Sequence, residues 1–181
     1  MKRLTLSAVI FSVSLVAMTC GNSVATAPAF SQSAPNRIQR NRIASSASAI
    51  KQGNQLFQAG KYGEAIKAYT IAINQSSSHA HQIQARLQRS RAYVLATVYA
   101  SPGYDNYDQA IGAAIADCSR VINLEPKNPV GYTCRGFAYS YLSQSEAAFA
   151  DFNRAIELAP NDPNAYFERG SAYYQHNDPD R

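Results

Sequence analysis

The decisive stretch is 129–162, P-V-G-Y-T-C-R-G-F-A-Y-S-Y-L-S-Q-S-E-A-A-F-A-D-F-N-R-A-I-E-L-A-P-N-D. Its spacing predicts two helices. Val130–Leu142 carries Tyr132, Gly136, Tyr139 and Leu142 three or four residues apart, and Glu146–Leu158 carries Ala148, Phe152, Ala155 and Ile156 in the same way. Proline stands where a second helix must stop, at Pro126 before this unit and Pro160 at its end, 160 − 126 = 34 residues apart. The phrase Y-T-C-R-G-F-A-Y from Tyr132 returns as Y-F-E-R-G-S-A-Y from Tyr166, again 34 residues on. A fixed period of that length marks an array of helical hairpins, each burying its apolar face against the next.

The pattern R-G-x-A-Y…A-x-x-x-F…A-I-x-L-x-P resembles the tetratricopeptide repeat. Gly136 and Gly170 match the small residue where the two helices of a unit cross, and Ala138, Tyr139, Ala148, Phe152, Ala155 and Pro160 match the rest. The resemblance implies an all-α, right-handed α-α solenoid of about three hairpins plus a C-terminal capping helix. It implies a protein or peptide partner held in a concave groove lined by the first helix of each unit. Carried over residue by residue, the groove-facing positions are Asn54 and Phe57, then Leu87, Arg91 and Val94, then Phe137 and Tyr141, then Phe167, Ser171 and Tyr174. Members that grip a terminal carboxylate use Lys and Arg from several units. Only Asn54 fits that pattern here, so the groove is expected to take an apolar or aromatic peptide or helix.

Working outward, the first unit spans 46–79, with helices Ala47–Ala59 and Tyr62–Asn74 and a stop at Gly60. The second, 83–128, is 46 residues long, 46 − 34 = 12 more than the period. Its helices, Ala85–Ala100 and Asp108–Leu124, are expected to be extended by the insertion, lifting the loop around Pro102–Tyr107 out of the array. Ser90 replaces the crossing glycine, which predicts a slightly wider crossing. The last unit, 163–181, holds one helix, Asn164–His176. Its Tyr166, Phe167, Tyr173 and Tyr174 are too aromatic for a polar cap, so another chain, through a homodimer of this helix, or a further stretch of the protein is expected over it.

The chain has 181 residues, 46% of them apolar, and a formal net charge of +5. The charge is local: 1–45 holds Lys2, Arg3, Arg37, Arg40 and Arg42 and no acid, leaving 12 bases against 12 acids from residue 46 on. The excess therefore lies outside the repeats and does not indicate a nucleic-acid partner. Lys2-Arg3 followed by the uncharged run Leu4–Met18 and small residues around 25–29 reads as an export signal over 1–27. Mature protein would then reside in a periplasm, lumen or extracellular space. Cys20 at the end of the apolar run resembles a lipidation site, the alternative being a lipid-anchored envelope component; a fragment of a larger repeat protein is the other. Residues 28–45, rich in Ser, Gln, Asn and Arg, read as a flexible basic linker.

No catalytic constellation is legible. His79 and His81 have no Cys or carboxylate near in sequence, and His176 stands alone, so no metal or other cofactor is expected. The acids fall about one per turn, as on solvated helix faces. Asn74-Gln75-Ser76 fits a glycosylation acceptor, relevant only in a eukaryotic host. Cys118 and Cys134 sit on neighbouring helices of adjacent units. They read as two small buried apolar side chains that could instead pair in an oxidising compartment.

Overall fold

In the computed structural model, residues 35–99, 101, 103 and 106–176 are described, and of Gln175 and His176 only the backbone. They form seven helices: α1 Arg37–Gln58, α2 Tyr62–Gln75, α3 His79–Val98, α4 Tyr107–Leu124, α5 Pro129–Tyr141, α6 Ser145–Leu158 and α7 Pro163–His176. Helices pair as α1/α2, α3/α4 and α5/α6, each pair packs on the next, and the first helices α1, α3, α5 and α7 touch in sequence. This is the α-α solenoid that the period predicts. The export signal and Cys20 lie outside the described residues.

The helix ends follow local chemistry. Asn36 and Gln39 form a reciprocal cap at the start of α1, side chain to backbone at 2.9 and 3.2 Å. Asn106 caps α4 through the Gln109 amide, and Asn128 caps α5 with Pro129 in its first turn. Gly60 ends α1 at φ 73°, with the Lys61 amide bonded back to the Leu56 carbonyl and the Gly60 amide to Phe57. The same arrangement ends α5, but there Ser143 takes the left-handed position at φ 57°.

The linker expected over 28–45 is overturned for residues 37–45, which are the first turns of α1. No apolar stripe holds them. Arg42 Nε donates to the Gln75 carbonyl at 3.2 Å and Ser45 bonds the Gln75 side chain, so the extra turns lie along the end of α2. Buried Ser46 donates to Ile43 O at 2.9 Å and meets His81 Nδ1 at 2.8 Å. His81 thus belongs to a structural contact, and α3 begins at His79 rather than Ala85.

The core is built from alanine and a few large side chains. Ala65, Ile66, Tyr69, Ala92 and Ala96 join the first hairpin to the second, and Val94, Ile111, Ala114 and Ala138 join the second to the third. Within a hairpin, the crossing is set by a small residue under a ring. A Cβ added at Gly53 would meet the Tyr69 ring at 2.5 Å; one at Gly136 would meet Phe152 at 2.8 Å and Ala148 O at 3.1 Å. In the second hairpin Ser90 faces Cys118, 3.0 Å between Oγ and Sγ. The hydroxymethyl that replaces the missing glycine is thus opposed by a small side chain instead of a ring. Nothing lies within 4 Å of a Cβ at Gly170. Gly136→Ala is therefore expected to lower stability by about 1–3 kcal/mol through overpacking. Gly170→Ala should raise it by about 0.5–1 kcal/mol through helix propensity. Urea unfolding of the two variants checks this, and equal effects of the same sign would refute it.

Two acids expected on solvated faces are buried instead. Asp117 accepts from Arg89 Nε at 2.7 Å and Nη2 at 2.8 Å, and from Arg86 Nη1 at 2.9 Å. Asp151 accepts from Arg135 Nε at 2.7 Å and Nη2 at 2.8 Å. The sequence separations are 28 and 16 residues, and 28 − 16 = 12 is the insertion. Both pairs thus occupy one position of the repeat, with the added residues between the partners.

Candidate functional site

The first helices meet around a cavity of about 250 Å³. Leu87, Gln88 and Arg91 of α3 form one wall, Val130, Thr133, Cys134 and Phe137 of α5 the floor, and Asn164 and Glu168 of α7 the other wall. Helix spacing places these side chains together: 87, 88 and 91 share one face of α3, and 130, 133, 134 and 137 one face of α5. Of the ten groove positions expected from sequence, Leu87, Arg91 and Phe137 line this cavity. Tyr141 stacks edge-on with Phe137, ring centroids 5.1 Å apart, and its carbonyl accepts from the Tyr107 hydroxyl. Burial pushes the Tyr107 phenol up, with Tyr141 and Asp108 adding to it.

The other six positions lie elsewhere. Asn54 accepts from the Tyr69 hydroxyl at 2.9 Å, and Phe57 packs edge-on against Tyr62 at 5.4 Å. Val94 is fully buried against Ile111 and Ala114, because the lengthened α4 lies over that turn of α3. Phe167, Ser171 and Tyr174 form a separate shallow cleft with Tyr166 and Gly170. The reason is geometric. Helix α7 turns its Asn164 and Glu168 edge toward α5, leaving Phe167 and Ser171 on the edge pointing away from the array. Gln88, Val130, Thr133, Cys134, Asn164 and Glu168 line the cavity without being among the expected groove positions; the 34-residue offset relates Val130 and Cys134 on α5 to Asn164 and Glu168 on α7.

Two charges face the cavity. Arg91 is exposed, and among the described residues no hydrogen bond or ion pair holds it. It reaches both sides electrostatically. Burial pushes the Tyr69 phenol up to about 12 while Arg91 pulls it down, and burial raises the Glu168 carboxyl above its ordinary range while Arg91 opposes that too. A raised carboxyl pKa means that ionised Glu168 costs stability. The cost is absent below its unfolded value, grows as pH rises from there to the folded value and is complete above it. Glu168→Gln is therefore expected to raise Tm at pH 7 more than at pH 4, read by thermal unfolding at both; the reverse order would show that Glu168 is stabilised as the anion.

At one end of the cavity, Cys134 is bonded to Cys118, Cα atoms 5.7 Å apart, joining α5 to α4. Ser90 Oγ lies 3.0 Å from one sulfur and 3.3 Å from the other. A bonded sulfur carries no proton, so the hydroxyl is the donor. The pair stands as a covalent link between units rather than as two separate thiols. Among the described residues there is no group of three or more His, Cys, Asp or Glu able to hold a metal, and no helix long and apolar enough to cross a membrane.

A family model described as the TPR repeat matches residues 141–177. No curated protein matches the chain. Among solved structures, the Arabidopsis OM64 TPR domain superposes with a TM-score of 0.59 at 21% identity, covering 74% of this chain and 98% of that one. The first TPR of Spaghetti (RPAP3), bound to the HSP90 peptide SRMEEVD, gives 0.57 at 25% identity, covering 74% and 94%. The second TPR domain of human RPAP3, in complex with the HSP70 peptide SGPTIEEVD, gives 0.57 at 24% identity, covering 75% and 98%. The fold is thus that of tetratricopeptide hairpins.

Proposed function

We propose that this chain is a non-catalytic scaffold whose α3/α5/α7 cavity receives an apolar side chain of a peptide or protein partner. The observation that carries the reading is the cavity itself. Leu87, Val130 and Phe137 supply an apolar lining, while Arg91 and Glu168 stand on opposite walls to orient a polar backbone or flanking groups. Peptide binding by similar TPR domains supports the class of partner. Asn54, the one residue that fits a carboxylate grip, is engaged by the Tyr69 hydroxyl here.

A random-peptide library selected on the full chain tests it. Selected peptides are expected to share an apolar residue, and to lose at least about tenfold in affinity, roughly 1.4 kcal/mol, to Leu87→Asp and to Arg91→Glu. Ile71→Asp, on the outer helix α2, should leave binding unchanged. Peptides indifferent to both groove variants would refute the cavity as the site.

We place the mature protein in an exported compartment. The basic-then-apolar start of the sequence supports this, as does a disulfide suited to oxidising surroundings. Intact mass of the cell-derived protein is expected to show a start within residues 26–30. A start at Cys20 with added acyl mass would replace this with the lipid-anchored reading, and a chain retaining Met1 would refute both.

A further inference from the structure

We propose that the outward edge of α7 is a self-association surface, on which two copies of this chain pair antiparallel about a two-fold axis through Gly170. The edge exposes four rings: Phe167 is 72% exposed, Tyr174 78%, Tyr173 63% and Tyr166 42%, with Tyr173 resting on one side against Phe149 and Tyr166 under Arg169. Ala165 and Ala172, on the opposite side of the helix, are buried against the array. So much exposed ring surface in one strip marks an interaction site.

The spacing identifies the occupant. Two aromatics precede Gly170 by four and three residues, Tyr166 and Phe167, and two follow it by three and four, Tyr173 and Tyr174. An arrangement symmetric about a central residue is self-complementary. In an antiparallel pair crossing at Gly170, Tyr166 meets the second copy's Tyr174 and Phe167 its Tyr173, a pattern that a two-fold contact requires. The glycine lets the backbones approach, since nothing lies within 4 Å of where a Cβ would stand. Gly136, at the same position of the preceding unit, shows what such a glycine accommodates: a helix whose Phe152 ring rests on it.

Charge does not oppose the pairing. The cleft formed by Tyr166, Phe167, Gly170, Ser171 and Tyr174 is uncharged. Glu168 faces the groove, and Arg169 is turned to Asn153, 2.8 Å away, with its guanidinium over Tyr166. A 14-residue helix is about 21 Å long, so the contact falls short of the ~800 Å² per partner of a standard interface. The dimer is accordingly weak, dissociating at roughly tens of micromolar, and closed, since a two-fold contact leaves no free surface to add a third copy.

Sedimentation of the full chain from about 5 to about 500 μM, a range bracketing that affinity, tests it. The expected result is a monomer that becomes a dimer and stops there. Phe167→Glu should remain monomeric throughout with unchanged helix content, while Ile71→Glu, an exposed apolar position on α2, should dimerise as before. A monomer at the highest concentration, open-ended association, or a dimer that survives Phe167→Glu would each overturn the proposal. Survival would assign self-association to another part of the chain, such as residues 1–34. Peptide binding in the α3/α5/α7 cavity is read independently, because Phe167 does not line it.

Discussion

Replacing Asp117 by Ala is expected to lower the unfolding free energy by about 3–5 kcal/mol, more than any other single charge removal among the described residues. The side chain of Asp117 is 4% exposed and holds Arg86 and Arg89, which are 18% and 16% exposed. Removing the carboxylate leaves two guanidinium groups in a site with little water. Arg86 is already short of partners, since its Nε is buried without one. Arg89 also donates to Thr70 at 2.9 Å, so the network crosses from α4 through α3 to α2 of the preceding hairpin. Loss of Asp117 therefore loosens two hairpins at once. Asp151→Ala should cost less, about 2–3 kcal/mol, because a single, more exposed Arg135 depends on it and can turn toward solvent. Urea unfolding of both variants gives the comparison. A loss below about 1 kcal/mol for Asp117→Ala, or one abolished in 1 M salt, would mean that the pair behaves as a surface ion pair.

These buried pairs also show where sequence reading stops. The apolar period placed five of the seven helices to within one residue at both ends, while α1 and α3 begin earlier than it predicts, at Arg37 and His79; each hairpin buries an alanine-rich face whose spacing is visible in the chain. Gly136 under Phe152 was legible for the same reason: a small residue and a ring at fixed offsets. Asp117 and Asp151 were not, because an acid on a helix looks the same in sequence whether water or an arginine 28 residues away receives it. The first turns of α1 were missed since Ser45, Ser46 and Arg42 hold them by hydrogen bonds, which carry no hydrophobic period. Of the cavity between α3, α5 and α7, the lining residues Leu87, Arg91 and Phe137 lie at positions the repeat makes visible in the sequence. Other expected positions lie away from it where regularity ends: Val94 is covered by the lengthened α4, and the outer edge of α7 has no following helix among the described residues.

Removing the Cys118–Cys134 bond, by a dithiol reductant or by the double substitution to Ala, is expected to cost about 3 kcal/mol. The bond closes a loop 16 residues in separation, and closure of such a loop lowers the entropy of the unfolded chain by about that amount. Cys118 is fully buried beside Ser90, so in the reduced protein the hydroxyl retains sulfur acceptors and the packing there changes little. The effect should therefore appear as a drop in Tm with the helix content of the folded state preserved. Cys134 also lines the cavity, on the face of α5 that carries Thr133 and Phe137. Freed of the bond, α5 is held to α4 by side-chain packing and by the hydrogen bonds of Tyr107 to the Tyr141 carbonyl and of Arg135 to Ser119, and peptide affinity should fall with stability rather than independently of it. The decisive pair of measurements is Tm with and without reductant. The natural sequence is expected to lose Tm on reduction, and the double variant should start at the lower value and not respond. Equal Tm values in all four conditions would mean that the bond constrains nothing the fold does not already fix, and would remove the covalent link as support for an oxidising location.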